Sequence, residues 1–399
     1  MDEIYAELRR LTTTDSRELD RVCERVASEL LEQGIEPNFS VESADFGRDP
    51  FLICADRYWR LRFLAAPTVT TAAKCARWLH QRTAIEHRGE IAERWALGYS
   101  FITRDTLESR DELSDATAQL IEQSAGAADV IFFAALYHAG KLRADFSFEE
   151  LRIFLESSSL ALTAGLRRDE PIFVALEAFA AFGSRNATTE HAIELFDRAW
   201  NHPARTRHVV DVCLNALWAA VPFPEQGALL GDRAKVAVEL YPGDHIFYFR
   251  LATGQRLSDE HRAALDSIDT ALRLLPATGN RGSHKLLQEQ YIRERGLIVD
   301  GIQRATWTLE HERQQEASKA ALAELRKSAN KNVVRAMELV TVFAAVIAFA
   351  FGSPQFVING SIKLHDRIWL LLAFGWSLTV FAFIIVFGTW AITRDRDKR

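Results

Sequence analysis

The sequence predicts a mainly α-helical chain: helical hairpin repeats behind a small mixed α/β unit, closed by two transmembrane helices. Two strongly apolar segments, 336–353 and 368–393, lie at the C-terminal end, and nothing like them occurs earlier. Ahead of them, from about residue 126, Ala- and Leu-rich helical periods of 12–18 residues succeed one another across short polar turns. Within that stretch a 34-residue internal repetition recurs. The boundaries read from the sequence are 1–125 for the mixed unit, 126–305 for the repeat array, 306–335 for a helical stalk, 336–393 for the membrane hairpin and 394–399 for a basic tail.

In the first unit Asp15 and Glu18 have capping-box spacing, and Leu19, Val22, Cys23, Val26 and Leu30 then recur at helical intervals up to Gly34. Trp59, Leu61 and Phe63 alternate with Arg60 and Arg62, a period of two that predicts a strand. Phe39, Val41, Phe51 and Ile53 suggest companion strands, with a helix near 69–84 and a further strand near 95–103.

The repeat shows first in Ala237 and Pro242, which return 34 residues later as Ala271 and Pro276. Each pair closes a helix, AVELYP in one copy and ALRLLP in the other. With Tyr248, Leu251, Ala252, Ala264 and Ile268, the unit 245–278 resembles a tetratricopeptide repeat. An earlier unit at 173–206 keeps Ala180, Ala192, Phe196 and Ala199, with Pro203 one residue early. The unit between them keeps Leu217, Ala237 and Pro242 but places Trp218 where that family has a small residue. Over 173–278 the resemblance implies a helical solenoid whose stacked hairpins hold a protein or peptide segment. Residues 283–333 read as a polar helix that caps the array and leads toward the membrane, carrying Leu309, Leu322 and Leu325.

The segment Ile368–Thr393 contains no ionisable side chain, and at 1.5 Å per residue a helix of that length crosses a ~30 Å hydrocarbon core. Arg326, Lys327, Lys331 and Arg335 precede the first span, and Arg394, Arg396, Lys398 and Arg399 follow the second. The loop between them carries only Lys363 and Arg367, so the positive-inside rule places both ends in the cytoplasm, at the inner face of a cell membrane. Trp369 and Trp390 sit near opposite ends of the second span, as interfacial anchors do. Ala344, Ala348 and Gly352, with Gly375 and Thr379, form small-residue stripes suited to packing the two spans together or to self-association in the lipid bilayer. Thirty-nine arginines against nine lysines suit a GC-rich prokaryotic genome.

Composition excludes several functions. Net charge is −6, with no basic stripe interleaved with aromatics, so nucleic acid is not expected as a partner. The four cysteines show no CxxC spacing, and the histidines are scattered; His208 with Cys213 and Cys75 with His80 are five apart and face different sides of a helix. No phosphate-cradling glycine loop, HExxH or GxSxG occurs, so no catalytic, cofactor-binding or metal residue is assigned, and the chain is not expected to be an enzyme. Two spans behind a long helix are similar in layout to CorA-type magnesium channels, but the Gly-Met-Asn signature is missing after the first span. The expected function is a membrane-anchored scaffold that binds a protein partner on its helical array. The layout also resembles prokaryotic stress and antiphage effectors, in which a soluble sensing module is joined to two transmembrane helices that assemble and perturb the membrane.

Overall fold

The computed structural model describes the backbone of residues 2–11, 16–123, 128–164, 170–275, 281–358 and 364–394. Among these residues the regular structure is helical throughout, and the one β pairing is an isolated bridge between Val41 and Thr83. The predicted capping residue Asp15 lies outside the described residues, but its helix is present. Helix α1 spans Asp2–Arg10 and α2 spans Ser16–Glu32, with Leu19, Val22, Cys23, Val26 and Leu30 buried along one face. Gly34 then turns the chain at φ +66°, a conformation that favours glycine.

The predicted α/β unit is corrected here. Residues 50–65 form helix α3 (Pro50–Ala65), so the alternating Trp59, Leu61 and Phe63 lie on a helix and not on a strand. The reason is local. Asp49 accepts hydrogen bonds from the Phe51 and Leu52 amides at 2.9 and 3.2 Å, and Pro50 fills the first helical position, where its missing N–H has no cost. Trp59 and Phe63 are four apart, so one helix face buries both. Helix α4 (Val69–Arg82) matches the helix expected near 69–84. The strand expected near 95–103 falls in α5 (Ile85–Ile102), where Ile91, Trp95 and Tyr99 recur at i, i+4 and are buried. Phe39 and Val41 are buried in the connecting segment, and the Val41 amide donates to Arg82 O at 2.7 Å.

Helices α6 (Arg110–Gln123), α7 (Ala128–Ala144), α8 (Phe148–Ser157) and α9 (Ser159–Thr163) follow. α7 is buried on nearly every side and packs on α4 and α5. Trp59, Trp78, Trp95, Tyr99, Phe63 and Tyr137 make a chain of ring contacts through α3, α4, α5 and α7. Such rings bury large apolar areas and favour tilted or offset geometry. Helices α10 (Pro171–Gly183), α11 (Thr189–Trp200), α12 (Arg207–Ala219), α13 (Gln226–Leu240), α14 (His245–Leu257) and α15 (His261–Leu274) then pack as successive neighbours. Ala180, Ala192, Phe196, Ala199, Leu217, Ala237, Ala252, Ala264, Ile268 and Ala271, singled out by the repetition, are all buried. α13 and α14 approach so closely that a Cβ on Gly254 would lie 2.6 Å from Gly231 Cα. Pro276 lies outside the described residues.

The chain divides into two units, Met1–Ala305 and Thr306–Arg399. In the first, one core cluster runs from Leu8 to Phe247, and a smaller one joins α14 and α15 to Tyr291 and Ile298. Those two residues belong to α16 (Arg281–Ile358), which continues unbroken into the second unit, followed there by α17 (Leu364–Arg394). Among the described residues no helix is long and apolar enough to cross a membrane. Much of both apolar stretches, the side chains of 348–364 and 388–399 included, falls outside the described residues, as do Ala348, Gly352 and Trp390 of the sequence reading. The side chains that are described are exposed: Met337, Val340, Phe343 and Ile347 on α16, and Ile368 through Leu372 without a break on α17. Thr379 turns its hydroxyl back onto Gly375 O at 2.7 Å, within its own helix.

Candidate functional site

A cavity of about 1120 Å³ opens inside the first unit. Its wall comes from one face of α5, the end of α7, the length of α12, the start of α14 and the start of α16. Helices α13 and α15 contribute nothing to it. α12 shows how the sequence builds such a wall. Val209, Val210, Val212, Cys213, Leu214, Ala216 and Leu217 bury into the core, while Arg207, His208, Asp211, Asn215 and Trp218 recur at three- and four-residue intervals on the cavity side. Thr206 caps the helix, accepting from the Val209 amide at 3.3 Å, and its hydroxyl donates to Glu93 Oε2 of α5 at 2.7 Å. Arg207 Nε donates to Asp244 Oδ2 at 2.7 Å, and Asp244 in turn caps α14 by accepting from the Ile246 amide at 3.1 Å. The polar ends of α5, α12 and α14 are thereby tied together around the cavity.

The electrostatics centre on arginine. Arg94, Arg143, Arg207 and Arg250 all line the cavity. Arg250 is 7% exposed. Its Nη2 donates to Asn215 Oδ1 at 2.6 Å, while Nε and Nη1 are buried without a hydrogen-bond partner. The guanidinium lies 4.5 Å from the Trp218 ring centroid and 5.3 Å from that of Phe249, within cation–π range. Burial pulls Arg250 down to about 10, against the opposing pull of Asp211 and Tyr291. Arg143 is also lowered by burial; Asp211 opposes this from 3.9 Å, and Arg143 Nε has no partner. For Arg207 burial acts in the same direction, but Asp211 and Asp244 outweigh it and leave the group raised. Asp211 is therefore one carboxylate acting on three guanidiniums, one of which Asp244 also holds.

The remaining wall is aromatic and neutral. Phe249 and Tyr291 stack with centroids 4.7 Å apart and planes 12° from parallel. The Tyr291 hydroxyl and His245 Nδ1 are 2.7 Å apart, and burial raises the tyrosine and lowers the histidine. Burial, with Arg207 beside it, lowers His208 to about 4, which keeps it neutral near pH 7. Unpaired buried donors are costly, because their hydration is lost without replacement. A pocket rich in such donors and in aromatic surface is arranged to receive an anion with a flat apolar part.

The residues singled out from the sequence fall around this site more than in it. Tyr248 and Leu251 pack against the core clusters, while their neighbours Ile246, Phe249 and Arg250 face the cavity. His208 lines the cavity, whereas Cys213 is buried in the core and all four cysteines are free thiols. His80 sits 3.4 Å from Asp129, apart from buried Cys75. Among the described residues no group of three His, Cys, Asp or Glu side chains could hold a metal. The arginines escaped sequence reading because they stand on five helices and meet only in the fold. The one legible signal was α12, where Arg207, Asp211 and Asn215 interrupt an otherwise apolar helix. No protein-family model, curated protein or solved structure matches the chain.

Proposed function

We propose that this chain is a membrane-tethered sensor-effector of the kind used in prokaryotic stress or antiphage responses. Its helical unit takes up a small anionic ligand, and its C-terminal helices act at the bilayer of the inner membrane. The observation that carries this reading is Arg250, a buried guanidinium with two unpartnered nitrogens facing a cavity of about 1120 Å³. A cavity of this kind suits a small molecule, since pockets for such ligands enclose roughly 300–1,000 Å³. The membrane half of the reading is supported by Ile368, Trp369, Leu370, Leu371 and Leu372, all exposed in succession. Five consecutive exposed apolar residues cover every face of a helix, and water is a poor solvent for such a surface. The charge asymmetry of the flanks argues for cytoplasmic ends. No catalytic role is assigned to any residue.

A second reading, the scaffold that binds a peptide on a tetratricopeptide-like array, draws on a different observation. α12, α14 and α16 line the cavity while α13 and α15 stand behind, as the inner and outer helices of a solenoid would. The two readings part in a leakage assay. The full chain is reconstituted in dye-loaded liposomes and challenged with the small-molecule and macromolecular fractions of a cell extract. The sensor-effector reading expects dye release with the small-molecule fraction and none with an Arg250→Ala chain. Association with the macromolecular fraction alone, without release, would favour the scaffold.

A further inference from the structure

The lining of the cavity defines its ligand more narrowly. We infer that the cavity binds a phosphate-bearing nucleotide, with its phosphates on Arg143, Arg207 and Arg250 and its base against Trp218, Phe249 and Tyr291. This inference rests on the sensor reading above and deepens it.

Planar guanidiniums offer paired N–H donors that match the oxygens of a phosphate, and they hold their charge where a lysine would give it up on burial. Three of them converge around Asp211, and the unpartnered nitrogens belong to Arg143 and Arg250. One carboxylate does not balance three cations, so this end of the cavity retains a surplus of positive charge even with Asp244 beside Arg207. A bound phosphate would satisfy both the charge and the open donors. A carboxylate ligand would meet the charge but brings only two oxygens to a site with donors on several helices. The neighbouring wall selects the rest of the molecule. Trp218 is already stacked under Arg250, and Phe249 and Tyr291 stand nearly parallel. Flat rings stack on such surfaces regardless of which base they carry, each contact contributing about 1–3 kcal/mol. The acidic groups Glu90 and Glu93 on α5 also line the cavity and can accept from ribose hydroxyls or base amino groups. The volume of about 1120 Å³ exceeds the upper end of drug-sized pockets, which favours a large nucleotide over a bare oxyanion.

The test uses the full chain in detergent, with binding measured by titration calorimetry. The probes are ATP, GTP, cyclic di-AMP and cyclic di-GMP, compared with adenosine, guanosine, inorganic phosphate and decanoate. The expected result is that at least one nucleotide binds at least about tenfold more tightly than its nucleoside or phosphate alone, since each part then contributes contacts. Arg250→Ala should weaken that nucleotide by at least about thirtyfold, and Arg250→Lys should restore only part of the loss. Because Arg250 is buried, Leu286→Glu provides a second variant: Leu286 lines the cavity yet is 54% exposed, so its replacement leaves the core alone while adding a repelling charge. It should weaken the nucleotide and leave thermal stability unchanged. Arg250-dependent binding of decanoate without any nucleotide would overturn the ligand class and leave the sensor reading standing. Binding of none of the probes, together with no Arg250-dependent response to the small-molecule extract, would sink both.

Discussion

Helices α10 and α17 are both apolar through most of their length, yet they meet opposite surroundings. In α10 nearly every residue from Pro171 to Phe182 is buried among neighbouring helices. In α17 Trp376 and Phe383 are 76% and 72% exposed, and a run of large side chains around them is exposed too. Composition alone therefore does not say which solvent a helix is meant for. Length, missing charges and flanking arginines separate the two, and they assign α10 to a protein core and α17 to lipid.

A charge placed in each helix should break the comparison most sharply. Phe179→Arg on α10 buries an unpaired cation and is expected to cost about 4 kcal/mol or more, seen as loss of the cooperative thermal transition. Val380→Arg on α17 should leave that transition in place. It should instead oppose membrane insertion by about 2.5–3.5 kcal/mol, read as a shift from membrane pellet to supernatant. If both variants behave alike, the assignment of different solvents to the two helices is wrong.

Glycine gives a second contrast. Gly254→Ala drives a methyl group into the backbone at Gly231 and should destabilise the first unit by about 3 kcal/mol. Gly375→Ala on α17 meets nothing within 4 Å and should be neutral or slightly favourable to the helix. Denaturant midpoints for the first and helicity in detergent for the second decide the matter.

The smallest effect is electrostatic. His138 and His208 are both held near 4, mainly by burial, against an ordinary value of 6.5. Between those values the unfolded chain binds protons that the folded one does not. Stability is therefore full above about pH 6.5 and falls as pH drops toward 4, by at most about 1.4 kcal/mol per pH unit for each histidine. Removing both as His138→Gln and His208→Gln should flatten that slope in a urea titration at several pH values.

The limits of sequence reading follow the same physics. Helical periods over ten or more residues were plain in α2, α4 and α15, because each buries one face at a regular spacing. The segment around Trp59 misled because Trp59, Leu61 and Phe63 satisfy a period of two and also, through the outer pair, a spacing of four. The Asp49-Pro50 helix start was the better guide there. The cavity was hidden for a different reason. Arg94, Arg143, Arg207 and Arg250 are separated by dozens of residues, and each alone reads as an ordinary surface charge. Only packing shows that Arg250 loses its water without gaining enough partners.

Helix α16 places Leu286, Leu287, Gln290 and Tyr291 on the cavity wall and then runs without interruption to Ile358. A rod of that kind conveys torque as well as thrust. Turning the cavity end turns every residue further along by the same angle. One residue inserted near 320 would advance the far end by about 1.5 Å but rotate it by about 100°. Seven inserted residues would lengthen the rod by about 10 Å and change its phase by only about 20°. Angular register, more than distance, would then govern what reaches the apolar end.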